Sequence, residues 1–195
     1  QEILSLNPDL IIANKEENIK EQIENLANNC DVWVTDVNSL EDALRMILDI
    51  GNLTGKLQTA IKLKNEIEIS FDELNLVANE KVLGRAAYLI WQKPYMVAAN
   101  GTFINDLMKK SGLVNVFENQ TRYPETTIVE IINLKPTYIL LSSEPYPFVE
   151  KHRQEFQKLM PCIKIILVDG EMFSWYGSRL LKTTKYLINK FLPEL

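Results

Sequence analysis

Residues 2–12 read EILSLNPDLII, and residues 130–140 read EIINLKPTYIL. In register, Glu2 matches Glu130, Ile3 matches Ile131, Leu6 matches Leu134 and Pro8 matches Pro136. Ile3, Leu4 and Leu6 have the spacing of one face at a helix end, as do Ile131, Ile132 and Leu134. Pro8 and Pro136 end that helix, because proline disfavours the α region for the residue before it. Leu10-Ile11-Ile12 and Tyr138-Ile139-Leu140-Leu141 then read as strands buried on both faces, the pattern of a parallel sheet. Each copy is a helix feeding a strand. The separation is too long for a solenoid repeat, so the pair points to two related α/β lobes in one chain. Coincidence is the competing reading, since helix–proline–strand is common in α/β proteins.

The rest of the chain fits two lobes. Asn18 to Asn29 carries Ile19, Ile23 and Leu26 at helical spacing, and Asp31 to Val37 is a short strand. Ser39 opens a helix as its N-cap, with Leu40, Ala43, Leu44, Ile47 and Ile50 as its apolar stripe. Gly51 to Gly55 interrupts the stripe, which resumes at Leu57 and runs through Ala60, Ile61, Ile67, Phe71 and Leu74. End to end these helical pieces would span about 50 Å at ~1.5 Å per residue, a length suited to a connection across two lobes. Alternation then restarts. Strands are expected over 82–91, 114–117, 137–142 and 163–168. Helices are expected over 101–111, 127–134, 148–159 and 178–192, with Gly112 closing the first of them.

Composition narrows the function. The net charge of −5 argues against nucleic acid as the main partner. No apolar run reaches the ~18 residues of a membrane span. Cys30 and Cys162 lie far apart without metal-ligand spacing, and each is expected in or beside a buried segment as a small hydrophobe. The sole histidine, His152, sits in a charged helix start and is expected on a solvated face. Asp169-Gly170-Glu171 reads as a turn. There is no Gly-rich phosphate loop, HExxH or GxSxG, and no nucleophile–base pair. The first residue already lies inside a helix–strand unit, so further residues are expected upstream.

Aromatic residues gather in loops: Trp91 to Tyr95, Tyr123-Pro124, Glu144 to Phe148 and Phe173 to Gly177. Three of these clusters directly follow expected strands. In open α/β sheets the ligand crevice lies outside the carboxyl ends of the strands. Taken singly, each aromatic is as well explained as a plug between loop and core. Four clusters at one end of a sheet favour a rim for a large, flat or ring-bearing ligand.

Leu6-Asn7-Pro8-Asp9-Leu10-Ile11-Ile12-Ala13 resembles the "LxPDLIIA" segment of periplasmic substrate-binding proteins for iron-siderophores, haem and cobalamin. So do Ser39-Leu40-Glu41-Asp42, Ile50-Gly51 with Thr54-Gly55-Lys56, Gly112 to Phe117, and Tyr123-Pro124. Ser174 to Arg179 falls where that family has its last cleft loop. The resemblance covers essentially the whole chain. It implies an α/β class III periplasmic-binding fold: two Rossmann-like lobes joined by a long backbone helix, with ligand in the cleft. On that pattern residues 1–38 are part of an N-terminal lobe, incomplete before Gln1, 39–77 form the connecting helix and 78–195 the C-terminal lobe.

The implied function is capture of a metal chelate (ferric siderophore, haem or cobalamin) outside the cytoplasm and its delivery to an ABC transporter permease. No enzyme activity and no cofactor are implied, and any membrane association would come from an anchor outside this chain. The location implied is periplasmic, or extracytoplasmic and membrane-anchored. The alternative is an α/β enzyme or ligand-sensing domain that reuses the fold, because fold does not fix function. The expected ligand contacts are Trp91, Tyr95, Tyr146, Trp175, Tyr176 and Arg179, with Lys15 and Glu16 from the other lobe. The family's permease-docking carboxylates fall by symmetry on Glu2 and Glu130, or one residue earlier on Gln1 and Val129. With no His, Cys or carboxylate cluster to hold a bare metal, any metal is expected to arrive inside an organic chelate.

Overall fold

A computed structural model describes residues 2–78 and 83–191. The expected strand start at Val82 and helix end at Leu192 lie outside the described residues. The chain divides into two compact units, Gln1–Val37 and Asn38–Leu195.

The first unit contains α1 (Glu2–Ser5), β1 (Ile11–Asn14), α2 (Lys20–Ala27) and β2 (Val32–Thr35). The two strands pair in parallel, Ile11 opposite Val32 and Asn14 opposite Thr35. Burial differs from expectation. Ala13 is buried, but Ile12 and Val34 are each 44% exposed. Alternate side chains on a strand point to opposite faces, and Ala13 lies opposite Val34 while Ile12 lies opposite Trp33, so the two exposed side chains fall on opposite faces and neither face of this small sheet is fully covered. Cys30 is half-buried, its thiol donating to the Pro8 carbonyl at 3.1 Å. Cys162 in the second unit is exposed, contrary to expectation, because it lies in the turn before a strand.

The second unit opens with α3 (Leu40–Leu53) and α4 (Leu57–Ala78). Ser39 caps α3, accepting from the Asp42 N–H at 3.1 Å. The helix ends in a Schellman motif. Lys56 N–H donates to the Gly51 carbonyl, Gly55 N–H to that of Asn52, and Gly55 takes φ +65°. The expected interruption therefore exists, but the two pieces do not continue as one rod of about 50 Å. The chain turns at Gly55, and α3 packs on α4. A Cβ at Gly51 would stand 2.3 Å from that of Ala60, so the close approach requires glycine. Along the seam Ala43, Leu44 and Ile47 are buried on α3, and Ala60, Ile67, Phe71 and Leu74 on α4.

The sheet of this unit is mixed. β3 (Gly84–Trp91) lies at its centre. On one side it pairs in parallel with β7 (Tyr138–Ser142), which pairs in parallel with β8 (Lys164–Val168). On the other side lie β5 (Leu113–Asn115), parallel, and β4 (Tyr95–Val97), antiparallel. β6 (Glu125–Thr126) adds antiparallel to β4. The stretch after Trp91 is thus a hairpin turn into β4 and not a crossover loop; three-residue β4 is too short for a legible alternation. Ala87, Leu89, Ile139, Leu141 and Ile165 face one layer with Phe117, Ile131, Phe148 and Phe156. These residues come with α6 (Ile128–Asn133), α7 (Glu150–Leu159) and their connections. On β3, Tyr88 points the other way, and its ring meets Phe173 at 5.0 Å. That layer holds α5 (Phe103–Lys110), α8 (Glu171–Ser174) and α9 (Leu180–Phe191), with α9 packed on α4 and α8 on α5. Thr102 and Thr127 cap α5 and α6, each accepting a backbone N–H at 3.2 Å, which contributes about 1 kcal/mol per cap.

Candidate functional site

β3, β7 and β8 run parallel, so their carboxyl ends share one edge. That edge carries Trp91, the segment 142–148 and the segment 169–175. Backbone bonds knit the three together. Tyr146 N–H donates to the Ile90 carbonyl at 3.2 Å, Ser143 N–H to that of Val168 at 3.0 Å, and Gly170 N–H to the Ser143 hydroxyl at 2.9 Å.

Two aromatic groups stand on this edge. In the first, Tyr146 meets Trp91 edge-on at 5.7 Å and Phe148 at 4.7 Å. Trp91 is 38% exposed, whereas Phe148 is buried. His152 closes this group and does not sit on a solvated surface as expected. Its ring lies 5.5 Å from Tyr146 and 5.6 Å from Phe148. Its Nδ1 accepts the Val149 N–H at 3.0 Å, which in the neutral ring leaves Nε2 to donate to the Tyr146 hydroxyl at 3.3 Å. Tyr95 belongs to the same side but turns its ring onto Phe156 at 5.5 Å.

In the second group, Trp175 is 51% exposed. Its indole N–H donates to Glu144 Oε1 at 3.0 Å, and the Ser174 hydroxyl donates to the same oxygen at 2.6 Å. The Arg179 guanidinium stands 5.1 Å from the Trp175 ring centre and pairs with Glu171 at 2.5 Å. Arg179 is thus shared between a carboxylate and an aromatic face. Tyr176 packs edge-on against buried Phe103 at 5.4 Å. Below the rim, the Tyr88 hydroxyl donates to the Ser142 hydroxyl at 3.1 Å, which donates to the Glu144 carbonyl at 2.6 Å. Burial raises the Tyr88 ionisation far above its ordinary range, with the Ser142 bond a smaller opposing influence.

The second copy of the repeated segment leads into this rim, and the first ends in a comparable turn. Asn7 and Lys135, each just before its proline, have φ +48° and +49°. Lys15 N–H donates to the Thr35 carbonyl at 3.0 Å, as Ser143 N–H does to that of Val168. Glu16 N–H donates to the Asn14 side chain at 2.6 Å, and Glu144 N–H to the Ser142 hydroxyl at 3.4 Å. Lys15 and Glu16 thus follow β1 as Ser143 and Glu144 follow β7. The Lys15 ammonium pairs with Asp36. Among the described residues, no group of three or more His, Cys, Asp or Glu could hold a metal ion.

Residues 1–164 match the family model described as periplasmic binding protein. The chain belongs to the periplasmic binding protein family. It is 22% identical to the vitamin B12-binding protein of Pectobacterium atrosepticum, over 100% of this chain and 71% of the relative. Among solved structures, it matches the periplasmic vitamin B12 binding protein of Vibrio cholerae with a TM-score of 0.79. That match has 18% identity and covers 99% of this chain and 77% of that one. The periplasmic heme-binding protein of Roseiflexus sp. RS-1 matches with a TM-score of 0.77 and 18% identity, covering 98% and 78%. These likenesses assign the class III periplasmic-binding fold.

In this periplasmic binding protein the two candidate docking carboxylates differ in setting. Glu2 is exposed on α1. Glu130 is half-buried on α6, where Gln120 donates to it at 3.1 Å and Thr126 at 2.9 Å. Val129 beside it is exposed. Reasoning from sequence missed Glu144, Gly170, Glu171 and His152 as organisers of the rim. Carrying the repeat four residues further, to Glu16 and Glu144, would have marked the first of them.

Proposed function

We propose that this chain is the extracytoplasmic solute-binding component of an ABC importer and takes a metal chelate as its solute. Ferric siderophore, haem and cobalamin are the candidate classes. The single observation that carries this reading is Trp175. Half its surface is open to solvent, yet its N–H and one face are both engaged. A large aromatic side chain held rigid with a face left open suits stacking on a flat or macrocyclic ligand. Trp91 and Tyr146 offer a second such surface on the same sheet edge, and Tyr95, Tyr176 and Arg179 border the two. Lys15 and Glu16 are the N-terminal unit's own candidates for ligand contact. The vitamin B12 and heme named for the relatives give the first ligands to test.

Delivery to a permease would place Glu2 and Glu130 against arginines of that partner. The experiment is tryptophan fluorescence of the chain titrated with cyanocobalamin, haemin and a ferric siderophore. One of them should bind saturably, and Trp175→Ala should weaken it about tenfold, the factor that ~1.4 kcal/mol represents. No saturable binding by any class, or full affinity in Trp175→Ala, would overturn the proposal.

A further inference from the structure

We infer that Glu144 is the positioning residue of the binding platform: its carboxylate fixes the orientation of Trp175. The inference rests on the reading of Trp175 as a ligand surface. Glu144 does not need to touch the ligand for this role.

Three observations converge on it. First, one oxygen, Oε1, accepts both the Ser174 hydroxyl at 2.6 Å and the Trp175 indole N–H at 3.0 Å. Two consecutive residues of the 171–175 segment are thereby tied to the end of a different strand, across 31 positions for the indole bond. Hydrogen bonds to a carboxylate are shorter and stronger than neutral ones. The bond fixes the ring edge while Arg179 occupies one face.

Second, the protein makes room for this carboxylate. A Cβ at Gly170 would stand 2.4 Å from Glu144 Cγ, 2.5 Å from Ser142 Oγ and 3.1 Å from Glu144 N. Gly170 has an ordinary helical φ of −61°, so its backbone does not require glycine. Space for the Glu144 turn accounts for the glycine.

Third, the backbone beneath Glu144 is itself anchored. Its carbonyl accepts the Ser142 hydroxyl at 2.6 Å, and Ser142 accepts from Tyr88, which is fully buried in the core. The path from core to ring is therefore Tyr88, Ser142, Glu144, Trp175. A positioning residue acts by reducing the freedom that the ring would lose on binding, so its removal lowers affinity without removing any ligand contact.

The test uses the full chain with Glu144→Ala and Glu144→Gln, read in two ways. The first readout needs no ligand: solvent exchange of the indole N–H groups by NMR, with the Trp175 signal assigned by its loss in Trp175→Phe. Glu144→Ala should speed exchange at Trp175 about tenfold and leave Trp33 and Trp91 unchanged, whereas Glu144→Gln, which retains an acceptor oxygen, should restore most of the protection. The second readout is affinity for cyanocobalamin and haemin. Glu144→Ala should weaken whichever one the unaltered chain binds by about tenfold, and Glu144→Gln by less than about threefold.

Unchanged Trp175 exchange in Glu144→Ala overturns the inference whatever happens to binding. Faster exchange with undiminished affinity overturns it as well, since the ring would then be held for some other purpose. If the unaltered chain binds neither compound, cobalamin and haem fail as its solutes, and the exchange measurement still decides whether Glu144 holds the indole.

Discussion

Asn7 and Lys135 occupy the same left-handed backbone conformation, with φ of +48° and +49°, each closing a short helix immediately before a proline. Asparagine visits this region readily, whereas lysine does so at a cost of about 1 kcal/mol or more. The two turns therefore share a geometry that their side chains do not explain. What requires it is the path from helix end to strand start, which is repeated in the two units.

Lys135 is the place to test that turn. Lys135→Gly should be neutral or stabilising within about 0.5 kcal/mol, because relief of strain offsets the added freedom of the unfolded chain. Lys135→Ile, β-branched at positive φ, should cost roughly 1–3 kcal/mol. Urea unfolding of the two variants checks the contrast, and equal stabilities would remove the geometric argument.

Gly51 gives a prediction of opposite sign to helix propensity. Alanine at an exposed helix position is favoured over glycine by about 0.5–1 kcal/mol. Here its Cβ would meet that of Ala60 at 2.3 Å. Gly51→Ala should instead destabilise by about 1–3 kcal/mol, the usual cost of overpacking. Thermal unfolding followed by far-UV circular dichroism would report it as a lower Tm.

Tyr88 sets an alkaline limit. In the unfolded chain a tyrosine ionises near pH 10. In the fold, burial holds Tyr88 protonated well beyond that, and burial also raises Tyr186, against which the Asp169 backbone bond works. The contribution of such a group is fully present below about pH 10 and is lost as the pH rises further, because only the unfolded chain releases the proton. Tyr88→Phe should cost about 1 kcal/mol at pH 8 through loss of the bond to Ser142. It should close that gap by about pH 11, where the natural chain has lost ~1.4 kcal/mol that the variant has not. Urea midpoints for both proteins from pH 8 to 11 check the convergence.

Reversing the charge at Glu2 or Glu130 should lower uptake in a reconstituted importer and leave ligand affinity intact, if both face the permease. Close charge pairs at interfaces can be worth a few kcal/mol. Glu130→Lys also breaks the bonds from Thr126 and Gln120, so Glu2→Lys is the cleaner variant. An unchanged uptake rate in the double reversal dismisses the docking assignment.

Most of the fold was legible because its signals are local. The proline turns, the N-cap Ser39 and the apolar runs of β3, β7 and β8 each declare themselves within a few residues. β4, β6 and α8 have two to four residues each and show no period to detect. The exposed Ile12 and Val34 could not be read either, since an apolar run does not say which faces find cover. At the rim, Trp91, Tyr146 and Trp175 stood out by residue type. Glu144 did not, because its role depends on a bond to a residue 31 positions away. His152 was read from its charged neighbours, while its packing is set by Tyr146 and Phe148.

The order of strands at the centre of the second unit bears on how it is assembled in time. β3 and β4 are joined by a tight turn and can pair by closing only a short loop. β3 and β7 cannot, since their pairing must close a long loop; the bond from Tyr88 to Ser142 spans 54 positions. Closure entropy grows by only about 0.6 kcal/mol for each doubling of loop length, yet it must be met before any buried contact compensates it. The platform that carries Trp175 hangs on that long-range pairing. Loop-closure entropy therefore weighs least on the β3–β4 hairpin and more on the pairing that carries the binding surface.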